Sequence, residues 1–434
     1  SGAGDILFDG TIDGTASQSE ALVIKSGSGS IQLQGTIGGT NPVTTLGINS
    51  VNGASGTIEI VGIGDSDTAG ATGAVTVGNT STGTLTLDGT VYSTDNSQTY
   101  VAATGGGNID ITGAATFTTT NDAVAFNTSG VDLANNGTTT INTGTGIGDV
   151  SFAGALESNG GSNDLLVITS GAGDVTFTGA VGATNALGGL DVNSSAGDGD
   201  ITFSSTIGDS GNAGVVGTTA IGGTATEDVN LAGLIYKFDG GTTITAADGD
   251  NIKLTGTGDV TFTTAADNIE FATGHIHLAD GSNLVVDTGA LLGNITIAEI
   301  AGTSVETVTL DAGTGTTSVG PIGSGTEIGD LSIGSDANGG ITLNGAIVTD
   351  GTVLIDGPVT LATGAVSVTT ANDTITFNHT INGTQTLTLE SGSAAIKLDG
   401  AIGGTGILTG LSVNATDGST GTIEISDIGD SDDA

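Results

Sequence analysis

Residues 26–60 read SGSGSIQLQGTIGGTNPVTTLGINSVNGASGTIEI, and residues 391–425 read SGSAAIKLDGAIGGTGILTGLSVNATDGSTGTIEI. They align without a gap at an offset of 365 residues, and the match continues from Ile63-Gly64-Asp65-Ser66 onto Ile428-Gly429-Asp430-Ser431. Inside each copy, short runs alternate apolar and polar, as in Ile31-Gln32-Leu33-Gln34 and Ile58-Glu59-Ile60. A period of two puts Ile31 and Leu33 on one side of a strand and Gln32 and Gln34 on the other. Gly, Asn, Asp and Ser cluster around these runs and supply the corners. No stretch sustains a 3.6-residue period, so the sequence predicts an all-β protein with essentially no helix.

A shorter repeat lies inside the long one. Residues 170–193 align with residues 26–49 at an offset of 144, and Thr116-Phe117-Thr118-Thr119 falls on Thr261-Phe262-Thr263-Thr264 at 145. Copies start at Ile6, Val150, Ile295 and Ile375, the last two only 80 residues apart. This gives copy 1 at 1–149, copy 2 at 150–294, a shortened copy 3 at 295–374 and a partial copy 4 at 375–434. A closed sandwich cannot lose so many internal residues and keep its core. A solenoid can, if whole coils are removed, because each coil touches only its neighbours. With coils of about 20 residues, and with 16 also dividing acceptably, the spacings come close to roughly seven, seven and four coils. Strands would then pair in parallel, with Val, Ile and Leu inside and Thr and Asn in exposed ladders.

Composition narrows the function. The chain has 79 Gly but three Pro, which excludes collagen. It carries 47 Asp plus Glu against four Lys and no Arg, a formal charge of −43. Such a chain repels nucleic acid and anionic membrane surfaces. Cations, copies of itself and neutral glycans are the partners that remain. Cys, Met and Trp are absent, so disulfides, thiol chemistry and zinc–thiolate sites are excluded. No apolar span approaches the ~18 residues of a membrane helix. The start Ser1-Gly2-Ala3-Gly4 shows no Met or signal peptide, which leads us to expect a trimmed piece of something larger.

The runs GDVTFTGAVG (173–182), GNIDITG (107–113) and GTLTLDG (83–89), with L-x-V or L-x-I following, carry a family likeness. The pattern resembles the β-strand repeat regions of large bacterial surface proteins, the filamentous-haemagglutinin-like exoproteins and adhesins. That resemblance implies a right-handed parallel β-helix exported to the cell surface.

Candidate sites are few. Ile-Gly-Asp-Ser recurs at Asp65, Asp209 and Asp430, and a second acid follows at Asp67 and Asp432. Asp198 with Asp200 and Asp248 with Asp250 have similar spacing. Asp-x-Asp on a tight loop offers hard oxygens to Ca²⁺, which takes about six to eight. Asp is equally a turn former that bonds its own backbone two residues on. His275 and His277 share one face of a strand near Asp280, an arrangement open to a transition metal or to plain exposed polarity. Asn79, Asn127, Asn294, Asn378 and Asn414 each begin an Asn-x-Ser/Thr triplet.

Catalytic constellations are weak. Carboxylates abound, but with no Trp and three Tyr there is no aromatic sugar platform. Three His and no Cys leave nucleophilic triads without partners. Gly105-Gly106-Gly107 precedes neither a helix nor a Lys, against a phosphate loop. The expectation is a non-enzymatic extracellular structural protein. It would be a segment of a filament, sheath or surface layer, a homopolymer joined head to tail through open solenoid ends and laterally. An adhesin stalk binding glycans or cells is the alternative, and a β-helical carbohydrate-active enzyme is a remote third.

Overall fold

A computed structural model of the chain describes residues 3–429 apart from 52, 129, 135–136, 160, 162, 196, 335–338 and 417–418. Among these residues no helix forms, and the strands stack in parallel as a β-solenoid. The chain divides into two units, Ser1–Asn230 and Leu231–Ala434.

In the first unit each turn has three faces. The first face stacks Ile6–Phe8, Ile31–Leu33, Ile58–Ile60, Leu85–Leu87, Ile109–Ile111, Gly130–Leu133 and Ala155–Ser158. The second stacks Val91–Ser93, Thr116–Thr118, Thr138–Asn142, Leu165–Thr169, Gly189–Val192 and Thr219–Ile221. Single bridges at Ile12, Ile37 and Ile63 extend it toward the N-terminus. The third runs from Ala21–Ile24 through Thr45–Ile48, Val75–Gly78, Gln98–Val101, Val124–Asn127, Val150–Phe152 and Val175–Phe177 to Ile201–Phe203.

The second unit is wound the same way. Leu284 pairs with Val308, Leu331, Val353 and Ile375 in succession, while Ile295 leads to Thr317, Ile341, Val359 and Ile381 on the next face.

The coil length corrects the sequence reading. Ile6 pairs with Ile31, Ile31 with Ile58 and Ile109 with Val131, so coils in the first unit are 25, 27 and 22 residues at these points. In the second unit Leu284 to Val308 is 24 residues and Ile375 to Ile396 is 21. The strands keep a short buried core, and the corners vary in length. The corner from Ile63 to Ala71, for example, holds a hydrogen-bonded loop closed by Asp65 N–H on Thr68 C=O at 2.9 Å.

Nor is the 144-residue repeat a whole number of coils. From Ile31 the ladder passes Ile58, Leu85, Ile109 and Val131 to Leu156, five turns. Two faces later it reaches Val175, the sequence counterpart of Ile31. The copy therefore advances five and two-thirds turns, and its strands land one face earlier. The 80-residue spacing in the second unit behaves alike. Three turns carry Ile295 to Val359, and two more faces reach Ile375, three and two-thirds turns in all. The short copy thus lacks two whole turns, as a solenoid requires.

The interior follows from the period of two. Val and Ile at the first inward position and Phe at the second give Val150–Phe152, Val175–Phe177 and Ile201–Phe203, each with both ends buried. Their rings form a spine: Tyr100 to Phe126 at 5.4 Å, then 4.9, 5.1 and 4.6 Å on to Phe152, Phe177 and Phe203, all stacked. Tyr92 stacks on Phe117 at 4.9 Å on the neighbouring face. Its phenol accepts the Gly89 N–H and donates to the Ile60 carbonyl, both at 2.9 Å, so burial leaves no polar atom unpaired. Its counterpart Tyr236 accepts Gly233 N–H at 2.9 Å and stacks on Phe262 at 4.8 Å. Glycine is obligatory where coils touch: a Cβ at Gly38 would sit 2.1 Å from the Gly70 carbonyl, and at Gly182 2.0 Å from that of Gly214. Both also have positive φ, 69° and 63°.

Candidate functional site

The outward residues of the first face carry the densest ionisable chemistry. Parallel register places Gln32 beside Glu59, Glu59 beside Thr86, and then Asp110, Asp132 and Glu157 on successive strands. Adjacent strands lie about 4.8 Å apart, so the three acids form one like-charged column. Gln32 donates to Glu59 at 3.0 Å and the Asn108 amide to Asp132 at 2.8 Å. Glu157 accepts the N–H groups of Thr184 and Asn185 at 3.1 and 2.8 Å. Partial burial, and then the Asp132 charge, push the Asp110 carboxyl above the usual range. Glu157 is pushed up by burial, while the Asn185 and Thr184 N–H groups pull the other way.

Carboxyls raised in this way suit general acid chemistry where a cleft holds a substrate against them. A shallow groove of about 230 Å³ lies further back, walled by Asp5, Ser30, Gln32, Thr57, Glu59 and Thr86. It ends one coil short of Asp110.

The Asp turns serve the backbone. Asp65 Oδ1 accepts the N–H groups of Asp67 and Thr68 at 2.8 and 2.6 Å. These bonds hold its carboxyl below the usual range, the Asp67 N–H first. Asp209 Oδ1 accepts Gly211 and Asn212 N–H at 2.6 and 2.7 Å in the same way. Asp67 is exposed beside Asp65, while Asp430 and Asp432 lie outside the described residues. Among the described residues no group of three or more His, Asp or Glu side chains is placed to hold a metal ion.

His275 and His277 sit in register with Asn251 and Lys253, and His275 Nε2 is 3.3 Å from Glu299. The Asn-x-Ser/Thr triplets separate. Asn79 is buried with its Nδ2 donating to the carbonyls of Asn49 and Ala54 at 2.6 and 2.9 Å. Asn414 clamps Ser391, and Asn294 accepts Thr316 N–H at 2.8 Å. Asn378 is exposed and donates to Asp356, and Asn127 is exposed.

Sequence reasoning missed a second acidic column. Asp149 Oδ1 accepts the Asp174 N–H, Asp174 Oδ1 that of Asp200, and Asp200 Oδ1 that of Asp228, each at 3.0 Å. Asn268 and Asn294 play the same part in the second unit at 2.9 and 2.8 Å. The signal was present as the Asp or Asn directly before the strands that start at Val150, Val175, Ile201, Val229, Ile269 and Ile295. These side chains span coils and satisfy backbone donors at the corner.

No protein-family model, no curated protein and no solved structure matches this chain.

Proposed function

We propose that this chain is an extracellular structural protein, a solenoid segment that assembles with copies of itself into a filament, sheath or surface layer. One observation carries the reading. The repeat returns its residues to a different face in the next copy, so recurring side chains do not line up into a binding array along one face. What recurs instead is the joint between coils. Ser26 and Asn49, Ser170 and Asn193, and Ser391 and Asn414 make the same inter-coil bonds. The aspartate column from Asp149 to Asp228 likewise ties each turn to the next. Selection on such a repeat acts on stacking, the property a load-bearing polymer needs. The absence of Cys, Met and Trp removes the most oxidisable side chains and suits a long-lived extracellular material.

Electron microscopy of the purified chain across concentration and salt tests this. Ordered polymers are expected. Dispersed single particles that bind a defined glycan tightly would instead make the chain an adhesive stalk.

A further inference from the structure

We propose that Asn344-Gly345, at a bend in the second unit, is a site of spontaneous main-chain modification, where the asparagine closes to a succinimide and opens to isoaspartate. The inference goes beyond the structural reading above and does not depend on it.

Asn-Gly pairs begin at Asn52, Asn136, Asn159, Asn338, Asn344 and Asn382. Each of the first four has a member outside the described residues, which sets Asn344-Gly345 against Asn382-Gly383. The reaction needs the glycine nitrogen to lose its proton and reach the asparagine Cγ, and glycine hinders that approach least.

The two pairs differ at that nitrogen. Gly383 ends the strand Ile381–Gly383, pairs with Leu361 and donates its N–H to the Gly406 carbonyl at 3.2 Å. Asn382 Oδ1 accepts the Thr405 and Gly406 N–H groups at 3.0 and 3.3 Å, so side chain and nitrogen are both tied to the next coil. Gly345 lies in the bend between Ile341–Leu343 and Ile347–Thr349. Among the described residues its N–H has no acceptor. The Asn344 amide is held by hydroxyls alone, Nδ2 donating to Ser318 at 3.0 Å and Oδ1 accepting from Thr363 at 3.4 Å.

The step balances with water as its sole reagent. The Gly345 nitrogen bonds to Asn344 Cγ, the Cγ–Nδ2 bond breaks, and the proton lost by the glycine leaves with the nitrogen as ammonia. Water then opens the imide at either carbonyl, to aspartate or to isoaspartate, whose main chain runs through Cβ and Cγ. Isoaspartate thus adds a carbon to a bend without slack, since a Cβ on Gly345 would already lie 2.7 Å from the Pro321 nitrogen of the preceding coil. Both products replace the amide that donates to Ser318 with another carboxylate, on a chain of net charge −43. Without Cys, Met or Trp the chain is spared most oxidation, whereas this change needs no oxidant.

Warming the purified chain for weeks in mildly alkaline heavy-oxygen water tests the assignment. Peptide mapping by mass spectrometry reads each pair separately, by uptake of the heavy oxygen and by resolving isoaspartate from aspartate peptides. In the folded chain Asn344 should convert roughly tenfold faster than Asn382, whose strand must open first. In urea, which removes the strand, the two rates should draw together. An unreactive Asn344, an Asn382 that converts as fast in the folded chain, or the same disparity in urea would each overturn the assignment. Aspartate without isoaspartate would exclude the imide step.

Discussion

Asn49 and Asn193 occupy the same left-handed backbone conformation, φ 44° and 54°, and make the same bonds, yet they stand at different corners of the coil. Asn49 follows a third-face strand and accepts Ser26 N–H at 3.0 Å; Asn193 follows a second-face strand and accepts Ser170 N–H at 2.9 Å. Each returns its amide to the serine hydroxyl, at 3.1 and 2.8 Å. Both are buried, and the corner works wherever it is placed.

Equal corners should cost equal amounts to break. Asn49→Ala and Asn193→Ala each strand a serine N–H and force Ala to positive φ, a loss of roughly 2–4 kcal/mol apiece. Asn→Gly at either position should recover about 1 kcal/mol of this by relieving the backbone alone. Urea unfolding of the four variants checks it, and a large inequality between the two sites would contradict the equivalence.

The acidic column makes stability depend on pH. A carboxyl whose folded pKa is raised contributes stability that is full below its unfolded value and lost as pH rises through the folded one. Asp110 and Glu157 are raised, so the urea midpoint should climb as pH falls from 7 toward about 5. Asp65, held low by its turn, and Glu20, held at about 2 by the Thr15 hydroxyl first, act in the other sense. Their contribution is present above the ordinary carboxyl range and lost in stronger acid, so the curve should turn over below about pH 4. Asp110→Asn should flatten the upper limb. An unchanged slope in that variant would assign the effect to overall charge.

Asp65 separates turn chemistry from cation binding. Asp65→Asn keeps the acceptor for Asp67 and Thr68 and should melt with the parent, whereas Asp65→Ala should melt at a lower temperature. Neither melting curve should move when a chelator is added or when Ca²⁺ is supplied. A Ca²⁺-dependent rise in the parent that Asp65→Asn abolishes would establish a bound ion there.

Thr219 offers the opposite kind of test. Among the described residues its Oγ1 is the buried side-chain polar atom with no hydrogen-bond partner. Thr219→Val keeps the shape and removes the unpaired hydroxyl, and should stabilise the first unit by about 1 kcal/mol. Thermal melting reads this directly, and a destabilised variant would mean the hydroxyl is paired.

Much of the architecture was legible because period-two runs such as Ile31-Gln32-Leu33 admit only strands, and a long repeat that tolerates loss of residues admits only stacking. Coil length was not. Division of 144 by an integer assumed that each copy closes on its own starting face, whereas Ile31 and Val175 sit on different faces. The uneven corners, 22 residues from Ile109 to Val131 but 27 from Ile31 to Ile58, hid the period further. Among site residues, Asp65 and Asp209 were visible as turn formers from their Gly and Ser neighbours. The column from Asp149 to Asp228 was hidden because its members meet only through coil stacking.

The interchangeable corner has a consequence for how such a gene changes length. Unequal crossing-over that joins Asn49 to Ser194 excises one 144-residue copy, and every later strand then rotates to the neighbouring face. Strand alternation, serine clamp and aspartate caps all survive the rotation, since none is specific to a face. Recombination therefore needs only to conserve the corner, and the array can shrink or grow by fractions of a turn while each product still folds.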